Sequence, residues 1–81
     1  MNKQLIECVP NISEGRDLNK INAIANVVKT VEGVKLLDVD PGKATNRTVI
    51  TFVGEPKNVI EAAFRLIKKA SELIDMRTHN G

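Results

Sequence analysis

An α+β domain with an antiparallel sheet is the fold the sequence predicts, and three observations predict it. Short β-branched runs alternate with two longer segments whose apolar residues recur at helical spacing. Pro and Gly punctuate the joins between them. The chain has 81 residues, enough for one domain and no more.

Residues 5–9 form a short apolar run, the first strand. Pro10 removes a backbone donor and is expected to close it. Residues 11–16 then read as a loop with Gly15 as its permissive position, and Asp17 as the N-cap of the first helix. In that helix Ile21, Ile24, Ala25, Val28 and Val31 make one apolar stripe, and Gly33 suits the exit. The second strand is expected over residues 34–40. Asp40-Pro41-Gly42-Lys43 fits a type II turn, with Pro second and Gly third, and the loop continues through Ala44 and Thr45. The third strand, residues 46–53, is rich in β-branched residues and should pair antiparallel with the second. Gly54-Glu55-Pro56 opens the second helix, where Pro is tolerated in the first turn. Val59, Ile60, Ala63, Leu66, Ile67, Ala70, Leu73 and Ile74 give it a broad apolar face, and its end is expected near Met76. Phe52 and Phe64 fall on the strand and helix stripes and are expected in the core.

The element order is β-α-β-β-α, a split β-α-β unit of ferredoxin-like type whose final strand is missing. Two helices on one face of the sheet leave the other face for a partner or a ligand. The missing strand leaves an unpaired edge.

Composition excludes several classes. Net charge is +2 with the cations scattered, and aromatic residues are 2% with no Trp or Tyr. That gives neither a phosphate-tracking stripe nor a stacking platform, so no nucleic-acid partner is expected. No apolar run approaches the roughly 20 residues of a membrane span, and no signal-peptide core opens the chain. The one cysteine, Cys8, cannot form an internal disulfide; it reads as a small buried hydrophobe in a reducing, cytoplasmic setting. The one histidine, His79, sits near the C-terminus without a fixed partner.

Chemistry-bearing residues gather where strands meet loops. Asp38 and Asp40, two apart on a strand, share a sheet face. They can hold a polar substrate together, or simply mark a strand tip emerging into solvent. Asn46, Arg47 and Thr48 open the next strand and are expected to return to the level of the two acids. Arg47 then reads either as a surface ion pair or as a fork for a substrate carboxylate. Asn11 and Arg16 flank a loop that leads to a helix N-terminus, an environment that favours anions or serves as an ordinary capped turn. Two carboxylates without His or Cys beside them are not a metal signature.

Together these segments resemble the start of the glutamate formimidoyltransferase (formiminotransferase) family, its N-terminal subdomain. The matching stretches are Leu5-Ile6-Glu7-Cys8-Val9-Pro10-Asn11-Ile12-Ser13-Glu14-Gly15-Arg16-Asp17, then Leu36-Leu37-Asp38-Val39-Asp40, then Asn46-Arg47-Thr48-Val49-Ile50-Thr51-Phe52-Val53-Gly54, and finally Leu73-Ile74-Asp75-Met76-Arg77-Thr78-His79-Asn80-Gly81. The resemblance covers essentially the whole chain, as part of that subdomain. It implies a transferase of histidine degradation and one-carbon metabolism. Such enzymes move the formimino group from N-formiminoglutamate to tetrahydrofolate, a co-substrate, without a metal. It also implies a folate site between two subdomains, and a homo-oligomer or a complementary chain. By this resemblance Asp40 is a supporting catalytic acid, and Asn11, Arg16, Asp38, Asn46, Arg47 and Thr48 bind substrate. The family's catalytic His lies in a Gly-Glu-His-Pro-Arg type motif expected just past Gly81, so the chain alone is expected to be inactive and His79 is not that residue. A rival reading from the residues is a non-catalytic interaction module that uses the open sheet.

Overall fold

The computed structural model describes residues 4–74. Its elements are β1 (Ile6–Cys8), β2 (Asn11–Ile12), α1 (Leu18–Lys29), β3 (Val34–Gly42), β4 (Arg47–Gly54) and α2 (Pro56–Leu73). Strict alternation in β4 organises them. Thr48, Ile50 and Phe52 are fully buried, whereas Val49, Thr51 and Val53 on the opposite face are half-buried. One face of β4 therefore meets the helices and the other does not.

All pairing in the sheet runs through β4. β1 and β2 lie in succession along one edge and β3 along the other, every pair antiparallel. This is the split β-α-β arrangement expected from the element order. Core side chains come from α1 (Ile21, Ile24, Ala25, Val28), α2 (Val59, Ala62, Leu66), and Ile12, Val31, Ile50, Phe52 and Ile74. Each α1 stripe residue read from the sequence is buried. Asp17 caps α1 as expected: its Oδ1 accepts from the N–H groups of Asn19 (3.0 Å) and Lys20 (3.2 Å). Gly33, at φ +86°, makes the turn into β3. Pro56 starts α2 at its first turn.

Five local expectations are corrected. Pro10 does not end the first strand. Cys8 pairs with Phe52 and Asn11 with Val49, the same three-residue step on both strands, so the register runs unbroken through Pro10. The Pro10 carbonyl still accepts from Ile50 N–H (3.0 Å); only the donor is missing. Asn11 and Ile12 are thus strand, not loop. Second, Pro41 and Gly42 are strand and not a type II turn. Pro41 pairs with Thr48 at a position whose missing N–H faces away from β4, so the ladder loses nothing. The reversal lies at 43–46, where Asn46 takes the left-handed conformation (φ 53°) that the turn requires. Third, Arg47 pairs with Gly42 and Thr48 with Pro41, so the level of Asp40 is reached by Val49 and that of Asp38 by Thr51. Fourth, α2 ends at Leu73 and Ile74 is extended; Met76, its expected end, lies outside the described residues. Fifth, Phe52 is buried but Phe64 is 65% exposed, as are Ile60 (67%) and Ile67 (65%), so the apolar face of α2 is wider than the core it covers. Cys8 is half-buried against the core.

Candidate functional site on the uncovered sheet face

The face of the sheet away from the helices is built by the odd-numbered residues of β4 and their cross-strand neighbours. Asn11, Val49 and Asp40 form one row across three strands. The next row holds Thr51 and Asp38, and the following one Glu7, Val53 and Lys35. On the other side of the Asn11 row stands Arg47, opposite Gly42. Arg47 and Asp40 are therefore diagonal neighbours on one face, a separation of about 7–8 Å between backbones that long side chains span. The two strand acids share this face as the sequence spacing requires. A β-bulge at Leu37 shifts the β3 register between Leu36 and Asp38. It turns Leu36 and Val39, three apart, toward the core, and leaves both acids outside.

The face is a mixed-charge surface: Glu7, Asp38 and Asp40 against Lys35 and Arg47, around a floor of Val49, Thr51 and Val53. No salt bridge joins Asp38 or Asp40 to Arg47; among the described residues the ion pair is Glu61–Arg65 on α2, at 2.7 Å. Asp38, Asp40 and Arg47 are all exposed. No group of three or more His, Cys, Asp or Glu side chains able to hold a metal occurs among the described residues. No described helix is long and apolar enough to cross a membrane.

The remaining sequence-selected residues do something different. Thr48 lies on the helix-covered face, fully buried, and its hydroxyl donates to the Glu14 carbonyl. The Asn46 Oδ1 accepts the Gly15 N–H (2.9 Å), and Arg16 Nε donates to the Lys43 carbonyl (3.1 Å). All three clamp the 13–17 loop against the end of the β3–β4 hairpin. Gly15 is the residue the clamp requires: a Cβ there would stand 2.6 Å from Arg47 N and 2.8 Å from Arg47 O. The loop is thus fixed to the same backbone that carries Arg47. His79 lies outside the described residues.

Val49, Thr51, Glu7 and Lys35 were not singled out from the sequence. The signal was present for the first two: a period of two starting from Arg47 places them beside it. For Glu7 and Lys35 the signal required knowing that both pair with Val53.

Glu14 steadies the loop electrostatically. Its Oε2 accepts from the N–H of Asp17 (3.0 Å) and of Arg16 (3.1 Å). The Asp17 N–H foremost holds its carboxyl below the usual glutamate range; burial, the next largest influence, opposes it, the Arg16 N–H and the charge of Lys20 reinforce it, and the Asp17 charge opposes it least. A depressed folded-state pKa stabilises the fold above the unfolded value, and the contribution disappears as pH falls through the folded one. The protection factors of the Arg16 and Asp17 amides, taken against intrinsic exchange at each pH, are therefore expected to fall on acidification through the Glu14 titration, and Glu14→Gln to abolish that fall. Hydrogen exchange followed by NMR checks this.

The family model described as the formiminotransferase domain, N-terminal subdomain, matches residues 5–81. A formimidoyltransferase-cyclodeaminase of Dictyostelium discoideum is 56% identical over 81 residues, which is 100% of this chain and 15% of that protein. The rat protein of the same name is 54% identical over 78 residues, 96% of this chain and 14% of its own length. A glutamate formimidoyltransferase of Thermoplasma acidophilum is 49% identical over 77 residues, 95% of this chain and 25% of its own length. The chain thus spans a quarter or less of these relatives.

Proposed function

The chain belongs to the formiminotransferase N-terminal subdomain family, and from that premise we propose that its uncovered sheet face is one wall of a formimidoyltransferase site. The substrates on this reading are N-formiminoglutamate and tetrahydrofolate, the reaction a step of histidine degradation and one-carbon metabolism in the cytoplasm. The observation that carries it is the grouping of Asn11, Asp38, Asp40 and Arg47 on one face, in adjacent rows, with no salt bridge between acid and guanidinium.

The chemistry asked of such a wall follows from the reaction. An amine nitrogen attacks an amidine-like carbon, which carries positive charge, and glutamate leaves. The Arg47 fork suits a substrate carboxylate in two-point contact. Asp40, with Asp38 one row away, supplies negative charge to a cationic formimino carbon. Asn11 offers both a donor and an acceptor to fix orientation. Arg16, Asn46 and Thr48 act on this reading by holding the loop and hairpin that set the Arg47 backbone. Attack and departure also need a proton carrier. Among the described residues the face carries no imidazole; on this reading the acid–base group is supplied from outside them, and the 81-residue chain by itself binds without turnover.

Mixed with both substrates, the chain is expected to release no glutamate above background. Titration with a tetrahydrofolate analogue or N-formiminoglutamate, followed by NMR, should give weak saturable binding. Arg47→Ala should weaken it about tenfold, the loss of one charge-assisted contact of roughly 1.5 kcal/mol. Turnover by the chain alone, or equal binding by Arg47→Ala, would contradict the proposal.

A further inference from the structure

Lys35 reaches the uncovered face through an irregularity, not through alternation. Lys35 and Asp38 are three apart, a spacing that puts residues of a regular strand on opposite faces. The bulge at Leu37 absorbs the odd residue. Lys35 therefore pairs with Val53, Asp38 with Thr51 and Asp40 with Val49, all on the side away from the helices. Bulges re-aim side chains and gather beside active sites, and this one brings a cation onto the face of the two acids. Lys35 is exposed, and among the described residues it makes no ion pair with Glu7 or Asp38.

The charges along β3 and β4 then follow a set order. Arg47 stands at the hairpin end, Asp40 and Asp38 come in the next two rows, and Lys35 stands in the row beyond. The row of Asp40 lies about 7 Å from that of Arg47 along β4, but about 13 Å from that of Lys35. The two reactants are unequal in the same way. In N-formiminoglutamate few bonds separate the formimino carbon from the carboxylates. In a folate the whole p-aminobenzoyl arm separates N5 from the terminal glutamate. The short interval fits the first and the long interval fits the second.

Resting on the reading of this face as a formimidoyltransferase wall, we propose that Lys35 binds the terminal glutamate carboxylate of the folate. The pterin end lies beside Asp40 and Arg47, where the formimino carbon is presented. The arm runs over Thr51 and Val53, both half-buried on this face. Glu7 stands across Val53 from Lys35 and repels the carboxylate from the β1 side, so the tail is confined to β3. An ammonium on a flexible stem suits the far end of a long ligand, where reach matters more than a fixed fork. Lys35 takes no part in bond making; it selects the glutamate-bearing form of the co-substrate.

Titrations of the 81-residue chain and of Lys35→Met with folic acid, pteroic acid and N-formiminoglutamate, followed by NMR, test this. Pteroic acid is folic acid without its glutamate. The chain is expected to bind folic acid about tenfold more tightly than pteroic acid, the share of one charge-assisted contact. Lys35→Met keeps most of the stem and loses the charge. It should erase that preference and leave the affinities for pteroic acid and N-formiminoglutamate unchanged. Arg47→Ala, at the other end, should weaken folic and pteroic acid alike. An undiminished preference in Lys35→Met would overturn the role of Lys35 while the reading of the face stands. That is also the result for a folate seated in the groove of about 410 Å³ between α2 and the 10–13 backbone. Weaker binding of N-formiminoglutamate to Lys35→Met would overturn the proposal too, because the reactants would then lie the other way round. Failure of the unaltered chain to bind either reactant would overturn the reading of the face and this inference with it.

Discussion

Phe52→Ala is expected to leave the chain largely unfolded at 37 °C. Phe52 is fully buried at the centre of β4, between Cys8 and Leu36 and under both helices. Truncating a buried phenylalanine costs about 3–5 kcal/mol, the transfer of the ring plus the cavity left behind. A chain of this length has roughly 4–12 kcal/mol of stability in all, so the loss is a large share of the total. Phe64→Ala provides the contrast. Its side chain is 65% exposed, and the change should fall within about 0.5 kcal/mol. Thermal melts of the two variants followed by circular dichroism check the pair of outcomes. Similar losses for both would mean that Phe64 is packed as the sequence stripe implies and that the exposed flank of α2 does not exist.

The second large effect is expected at Gly15. Its added methyl would meet the Arg47 backbone from both N and O, and backbone cannot step aside as a flexible side chain can. Gly15→Ala should therefore push the 13–17 loop off the hairpin. The Gly15–Asn46 and Thr48–Glu14 hydrogen bonds and the Arg16–Lys43 contact go with it. Overpacking of this kind costs about 2–3 kcal/mol, or some 10–20 °C in melting temperature for a domain this small. Because the loop rests on the strand that carries Arg47, ligand binding on the uncovered face should weaken in the same variant. Unchanged melting would show that the loop has room the geometry denies it.

These two positions also show where sequence reading succeeds and stops. The order of elements was legible because each carries its own local signal: the α1 stripe, the Asp17 cap, the turn at Gly33 and the β-branched run of β4. Local signals do not report which partner a residue faces. Pro10 and Pro41 read as strand ends, and only the sheet reveals that one forfeits a single donor and the other forfeits none. The bulge at Leu37 has no composition mark; it exists because Leu36 and Val39 both reach the core while Asp38 does not. Phe64 follows the helical stripe, yet the sheet beneath α2 is too narrow to cover it. In the site, Asp38, Asp40, Asn11 and Arg47 share a face because strand periodicity dictates it. Thr48 differs from Arg47 by one residue and so belongs to the opposite side. That Asn46, Thr48 and Arg16 act as clamps follows from the approach of the 13–17 loop, a contact between residues some thirty positions apart that no local pattern encodes.

The central claim is that the sheet face bearing Asn11, Asp40 and Arg47 is the ligand-binding wall. A titration of the isotope-labelled chain with a tetrahydrofolate analogue, read residue by residue in the NMR amide spectrum, tests it most directly. Shifts should concentrate on Asn11, Asp38, Asp40, Arg47, Val49 and Thr51, with α1 and the outer flank of α2 unmoved. Shifts confined to the helices or to the α2–β2 groove, or none at saturating ligand, would contradict it.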